Sequence, residues 1–385
     1  MAVYLDHNAT TPMDGRVRDA MLPWMGQIWG NPSSIHGFGQ AAREAVEEAR
    51  SQVAQLIGAR PAEVVFTSSG TEANNAVIFE VARRAGQRGH VVVSAIEHSS
   101  IREAVARLEE SGMEVTRVAP GEDGVVPAEA FCAALRDDTV LACLMRANNE
   151  LGTLQPVAEV GAVCSQRGVP LLCDAVQAVA KVEVDVEALN ADYLTLGAHK
   201  FYGPLGAAAL WVRRGRPMEG LLVGGGQERH RRASTENVPA IVGLGKAAEL
   251  ARLELQERRA HLGSLRERFE RGLAAIPGAV VHCADAPRLP HTSNIALPGA
   301  EAQSLLIRLD LRGFAVSAGS ACSSGTPEPS KVLLAMGLPV DEARASVRIS
   351  FGPVNTAADV DAFLAALGEE VAALRGAALG APLLL

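Results

Sequence analysis

The feature that most constrains this chain is an alternation. Between about residues 39 and 215, apolar runs of strand length trade places with segments whose apolar residues recur at helical spacing. Such an order yields a mostly parallel sheet covered by helices, because a crossover helix is what carries the chain back to begin the next parallel strand. In residues 40–57, Ala45, Val46, Ala49, Val53, Leu56 and Ile57 fall at helical spacing, and Gly58 follows as a terminating residue. Strand candidates occupy 64–67, 91–94, 115–118, 140–145, 170–173, 193–196 and 207–212. Their near-continuous apolar character is that of strands buried on both faces. The expected class is α/β, with a wide, mostly parallel sheet of seven strands.

Residues 239–275 break the alternation with a long, densely charged helical segment carrying Glu249, Arg252, Glu254, Glu257, Arg258 and Arg259. Beyond it, strand candidates at 294–297, 315–317 and 347–351 interleave with helices near 303–309, 331–336 and 358–374. These predict a smaller α+β domain. A chain of 385 residues suits one large and one small domain sharing an interface. The expected division gives residues 15–250 to the large domain, and residues 1–14 and 251–385 to the small one. No internal repeat or low-complexity segment is present.

Composition excludes several functions. With 36 basic against 44 acidic residues and a net charge of −8, no dense basic run offers a surface for nucleic acid. No apolar stretch approaches the roughly 18 residues a membrane span needs, and the beginning of the chain lacks the basic and apolar regions of a leader. A cytoplasmic protein is expected. The six cysteines form no C-x-x-C pair and no regular framework, as expected of free thiols in a reducing compartment.

Three strand ends carry chemistry. Ser68-Ser69-Gly70-Thr71-Glu72-Ala73-Asn74 leaves a strand and opens a helix, so N–H groups, hydroxyls and the positive helix end converge where an anion can be held. The same letters also spell an ordinary capping box. Asp174 ends the strand Leu171-Leu172-Cys173, at the carboxyl edge where α/β sheets bind ligands. A carboxylate there could keep a heterocyclic nitrogen protonated, or merely cap the next helix. Lys200, in Ala198-His199-Lys200-Phe201-Tyr202-Gly203-Pro204, stands in a largely apolar turn without charged neighbours in sequence. Desolvation lets such an amine lose its proton and condense with an aldehyde. Phosphate cradle, carboxylate and lysine, each just after a strand, are the three attachments that pyridoxal phosphate requires.

With these motifs the sequence resembles the class V aminotransferase-like branch of the fold-type I pyridoxal-phosphate enzymes, and within it the NifS/IscS-like cysteine desulfurases. The likeness runs nearly end to end, through Tyr4-Leu5-Asp6-His7-Asn8-Ala9-Thr10-Thr11-Pro12, Asn31-Pro32-Ser33-Ser34, Glu97-His98-Ser99-Ser100, Asn148-Asn149-Glu150-Leu151-Gly152, Gly224-Gly225-Gly226-Gln227-Glu228 and Ser320-Ala321-Cys322. It implies that Lys200 links to the cofactor, that Asp174 partners the pyridine nitrogen and that Gln177 donates to the phenolic oxygen. It further implies that His98 covers the ring and moves protons. Gly70, Thr71 and His199 would bind the phosphate, together with Gly197 where the family commonly has Ser. Thr235 would reach that phosphate from the other subunit of a homodimer. Asn149 would contact cofactor or substrate, and Arg348 would clamp the carboxylate of L-cysteine. His98 as a helix cap, Asn149 as a turn former and Arg348 as a strand-surface charge are the plainer alternatives.

Cys322 stands apart from the other thiols. Cys132, Cys143, Cys164 and Cys173 lie in apolar helices or strands and suit a core, whereas Cys283 is undecided. Cys322 lies in the small-residue segment Gly319-Ser320-Ala321-Cys322-Ser323-Ser324-Gly325-Thr326-Pro327. The resemblance makes it the residue that receives sulfur as a persulfide, hands it to an iron–sulfur scaffold or other acceptor, and could transiently ligate that scaffold's cluster. The family usually has Lys at Leu205, Gly at Ser234 and Arg at Pro353, and none of these departures removes a group performing a chemical step. A selenocysteine lyase or aminotransferase on the same cofactor, and a sulfur-carrier scaffold without catalysis, are the rivals. A zinc hydrolase lacks the required ligand spacing.

Overall fold

The structure, a computed structural model, describes residues 2–319 and 328–380. The chain starts in β1 (Val3–Tyr4) and then lays down β2 (Val64–Thr67), β3 (His90–Ser94), β4 (Glu114–Val118), β5 (Thr139–Cys143), β6 (Leu171–Asp174), β7 (Tyr193–Gly197) and β8 (Ala208–Val212). The last seven make one sheet in the order β2-β8-β7-β6-β5-β3-β4. Only β8 runs against its neighbours. The other six strands therefore point the same way, and their carboxyl ends share one edge, where the loops gather.

Alternation within each strand feeds two cores. Val64 and Phe66 of β2, Leu171 and Cys173 of β6, and Leu194 and Leu196 of β7 join one apolar cluster. The intervening Val65, Leu172 and Tyr193 join another. Successive side chains of a strand point to opposite faces, so the two clusters are the two helix-covered sides of the sheet. The expected strand at 140–145 stops at Cys143, since the Met145 N–H bonds the Glu97 carboxylate at 2.7 Å instead of a neighbouring strand.

The helix Val238–Gly272 spans 35 residues, about 52 Å at 1.5 Å per residue. Its first half buries Ile241, Leu244, Ala248 and Ala251 in the first cluster, and its second half buries Leu262, Leu265 and Phe269 in a third. That third core also holds Leu5, Leu305, Val347, Ile349 and Phe363. It is built on β9 (Val280–Val281), β10 (Thr292–Ala296) and β12 (Ser346–Ser350), an antiparallel sheet with β10 at its centre. β1 pairs with β11 (Phe314–Ala315) in parallel. This pairing anchors the start of the chain against its last quarter, and residues 6–11 then run from there to the carboxyl edge of the large sheet.

Candidate active site

That edge carries a cavity of about 250 Å³ lined by Asn8, Ala9, Ser69, Gly70, Thr71, Asn74, His98, Ser100, Met145, Asn149, Asp174, Val176, Gln177, His199, Lys200 and Arg348. Five loops after parallel strands meet there: the cradle after β2, His98 after β3, Asn149 after β5, Asp174 at the end of β6 and Lys200 after β7. Ligands of open α/β sheets bind at such an edge.

The helix Gly70–Arg84 is both capped and left open. Ser69 caps the Glu72 N–H at 3.1 Å, while the Glu72 carboxylate accepts from the N–H of Ser68, one residue before the cap, at 2.8 Å, so only half of the expected capping box forms. Ser69 also supplies the carbonyl for Ala73 N–H. Among the described residues this leaves the N–H groups of Gly70 and Thr71, at the positive helix end, for an anion. A Cβ at Gly70 would come within 2.9 Å of Val176 Cγ2, so a larger residue would crowd the cradle.

Asp174, Asn74, Ser100 and His98 form one chain of hydrogen bonds. Asp174 Oδ2 accepts from Asn74 Nδ2 at 2.9 Å, and Oδ1 accepts from the Val176 N–H at 3.0 Å. Asn74 Nδ2 also donates to Ser100 Oγ at 2.9 Å, and Ser100 Oγ lies 2.8 Å from His98 Nδ1. Since Nδ1 also accepts from the Ser100 N–H at 3.1 Å, the neutral ring carries its proton on Nε2. Burial, with the Lys200 and Arg102 charges and against the opposing pull of Asp174, holds the His98 pKa below that of a solvated imidazole. His98 is thus the helix cap of the plainer alternative and a wall of the cavity as well.

Lys200 Nζ donates to the carbonyls of Asn8 and Ala9, each at 2.7 Å. Its neighbour His199 makes a 3.1 Å contact with Thr10 Oγ1, and burial lowers that imidazole to about 4. Gln177 gives one amide proton to Asn8 O at 2.9 Å, while its buried Oε1 has no partner among the described residues. Arg348, 1 % exposed at the centre of β12, pairs with Asp6 at 2.6 Å and donates to Asn149 O at 2.9 Å. Its buried Nε is left without a partner among the described residues. Asn149 enters through its backbone carbonyl, whereas the turn is formed by Asn148, whose Oδ1 accepts from the N–H groups of Glu150 and Leu151.

Twelve residues carry expected site roles, and nine of them line this cavity. Gly197 and Thr235 do not. A Cβ at Gly197 would meet only His199 Cδ2 at 3.7 Å and Val176 Cγ1 at 3.8 Å, ordinary contacts, so the absent serine leaves space rather than strain. Thr235 lines a second cavity of about 200 Å³ together with Thr67, Ser68 and Arg232. The preceding Ser234 has φ +97°, a conformation that suits the family's usual glycine better than serine. Cys322 lies outside the described residues. Of the other thiols, Cys132, Cys143, Cys164, Cys173 and Cys283 all have pKa values raised by burial, Cys283 to about 11, as befits packing groups. Among the described residues no group of three or more His, Cys, Asp or Glu side chains could hold a metal ion.

Asp6, Asn8, Asn74, Ser100 and Glu97 are absent from the expected roles. Glu97 is 1 % exposed, and its Oε1 accepts from Ser94 Oγ and the Met145 N–H, both at 2.7 Å. Burial lifts its pKa to about 8 from an ordinary 4.5. The folded state therefore holds a proton that the unfolded chain has released, and this contribution to stability is full below about 4.5 and lost as pH rises toward 8. Glu97→Gln, neutral and of the same shape, is expected to remove a slope of up to about 1.4 kcal/mol per pH unit. Denaturant titrations of both proteins between pH 6 and 8 measure the difference, and parallel curves would contradict it.

The donors fit pyridoxal phosphate. An open helix end could take a phosphate, a carboxylate ends the middle strand, an amine faces the same space, and Gln177 has a buried polar atom unpartnered among the described residues. The class-V aminotransferase model matches residues 3–363. The chain belongs to the class-V aminotransferase family. Its class-V relatives include the Cysteine desulfurase IscS of Methanosarcina thermophila, 44 % identical over 97 % of this chain and 93 % of that one. The Cysteine desulfurase IscS of Dictyoglomus turgidum is 42 % identical over 97 % and 95 %. Among solved class-V structures, a NIFS-like protein superposes with a TM-score of 0.91 at 36 % identity, over 97 % of this chain and all of that one. SspA in complex with cysteine superposes at 0.81 with 34 % identity, over 92 % and 99 %. The chain is a pyridoxal-phosphate enzyme of the IscS/NifS-like, cysteine desulfurase branch of this class.

Arg348→Lys tests the carboxylate clamp. Lysine keeps the charge and loses the two-pronged geometry. With a charged hydrogen bond worth about 1.5–3 kcal/mol, KM for cysteine is expected to rise about 10- to 100-fold with cofactor content unchanged. Steady-state kinetics beside an absorption spectrum check both, and an unchanged KM would remove Arg348 from substrate binding.

Proposed function

We propose that this enzyme removes the sulfur of L-cysteine, leaving L-alanine, and carries it as a persulfide on Cys322. The observation that carries the assignment is the convergence of Lys200, Asp174 and the open helix end on one cavity, in a chain related over nearly its whole length to cysteine desulfurases. Pyridoxal phosphate, when bound, supplies the electron sink that acidifies the α-proton of an attached amino acid. Asp174 holds the ring nitrogen protonated, Gln177 donates to the phenolic oxygen, and Gly70, Thr71 and His199 hold the phosphate. Arg348 orients the carboxylate, and the Lys200 amine, once free, moves the α-proton. The Cys322 thiolate then attacks the substrate sulfur, so that the C–S bond breaks and the new S–S bond remains on the protein.

The division into residues 15–250 and residues 1–14 with 251–385 is proposed on the separation of the third core from the two cores of the large sheet. A homodimer is proposed as well. Thr235 stands outside its own cavity, free to serve another, and Leu22, Met25, Trp29, Ile35 and Phe38 form an exposed apolar stretch suited to a second copy. No helix of the described residues is long and apolar enough to cross a membrane, and a cytoplasmic setting is part of the proposal. Sulfur acceptors, an iron–sulfur scaffold first among them, are the proposed partners, with Cys322 as a transient cluster ligand during transfer.

The purified protein, given pyridoxal phosphate, L-cysteine and a thiol reductant, is expected to release sulfide and alanine in equal amounts. A sulfur-containing keto acid in place of alanine and sulfide would favour an aminotransferase, pyruvate with ammonia and sulfide would favour an eliminating lyase, and either would sink the proposal.

A further inference from the structure

Beneath the catalytic turn lies a second amine. Lys181 is 2 % exposed, and its Nζ donates to the backbone carbonyl of Lys200 at 2.6 Å. Of the 36 basic residues only four are lysines, and two of those meet here. The chain reaches this arrangement through strain: Ala180, one residue earlier, adopts φ +65° although it carries a Cβ.

Among the described residues, the charged and titratable groups facing Lys181 come from four parts of the chain, and none is acidic. They are Lys200 and His199 on the turn after β7, Arg258 on the long helix, His7 near the N-terminus and His291 before β10. Arg258 is itself occupied by Glu254 at 2.6 Å and lies over the ring of Tyr202 at 5.2 Å. His7 is lowered to about 4 and His291 well below its usual range, each chiefly by burial, so both rings are neutral at pH 7. Burial first, then the positive charge of Lys200, brings Lys181 down to about 7. A buried ammonium with a carbonyl for acceptor is costly, and the fold retains it beside the one lysine the chemistry needs.

Given that Lys200 is the cofactor lysine, as proposed above, we infer that Lys181 is a positioning residue for it. Its N–H fixes the main chain of Lys200, and its positive charge disfavours a second positive charge on the Lys200 amine. A free Lys200 amine is thereby kept in the basic form that takes the α-proton. The electrostatic part is present below about pH 7, where Lys181 is charged, and fades as pH rises through that value.

The test uses the full-length holoenzyme. In Lys181→Met the proton affinity of Lys200 rises, so the acid limb of kcat and the absorption midpoint of the bound cofactor both move upward by about one pH unit, tenfold in proton affinity. Lys181→Gln keeps an N–H donor without charge; it is expected to show the same shift while retaining cofactor better than the methionine variant. An unmoved midpoint in Lys181→Met refutes the electrostatic role, and equal cofactor loss in the two variants refutes the positioning role. If neither variant folds, reductive ¹³C-methylation of the wild-type chain followed by NMR titration decides: a Lys181 midpoint near that of a solvated lysine overturns the inference. Borohydride fixation of the cofactor on a residue other than Lys200 would fail the functional proposal itself, whereas fixation on Lys200 with unmoved midpoints fails only this inference.

Discussion

Lys200→Ala is expected to lower cysteine turnover on the order of 10⁴-fold, the upper end of what one positioned proton carrier contributes. In the proposed mechanism the same amine both links the cofactor and moves the α-proton, so its removal strikes two steps. Retention of cofactor is a separate question, because the helix end at Gly70 and Thr71, the Asp174 carboxylate and the Gln177 amide all remain. The variant should therefore bind pyridoxal phosphate reversibly and lose it on dialysis. The fold should survive, since the lost hydrogen bonds go to the Asn8 and Ala9 carbonyls, which face the cavity and can be reached by water. Turnover, equilibrium dialysis and circular dichroism together measure these outcomes. A variant that still turned over cysteine within tenfold of the wild type would contradict the assignment.

Cys322→Ser is expected to lower sulfide release from cysteine by at least ~10²-fold while leaving cofactor content and spectrum unchanged. A thiol delivered within the same molecule gains up to ~7–11 kcal/mol over one from solution, and a serine hydroxyl cannot take its place as a sulfur acceptor. The described residues that line the cavity all remain, so binding of cysteine, read as a spectral change on mixing, should persist. The five remaining described thiols are poorer nucleophiles, because burial raises the pKa of each of them. Mass analysis of the wild type after a single turnover should find one added sulfur atom on the peptide containing Cys322. Full-rate desulfuration by the serine variant would assign the nucleophile elsewhere and favour a lyase that needs no protein thiol.

The large sheet was legible because its strands are buried on both faces and so read as short, uninterrupted apolar runs between helices. Asp174 and Lys200 were legible for a related reason: a lone charged residue at the end of such a run stands out. The reversal of β8 was not, since Ala208–Val212 is as apolar as its parallel neighbours and direction leaves no trace in composition. The two-residue strands β1 and β9 are too short for any period to show, and β11 (Phe314–Ala315) overlaps the expected strand at 315–317 by one residue only. The part played by Asn8 and Asp6 depends on β1 pairing with a segment some three hundred residues away, a contact set by tertiary packing. Arg348 could be given a role only through family resemblance, because its strand alone admits a surface charge equally well. Lys181 follows an apolar run but meets Lys200 only through the left-handed turn at Ala180.

The most direct measurement is to reduce the holoenzyme with borohydride, digest it and locate the cofactor by mass spectrometry. With four lysines to choose among, Lys181, Lys200, Lys246 and Lys331, the account predicts that the label sits on Lys200 alone. A label on any of the other three, or none, would contradict it.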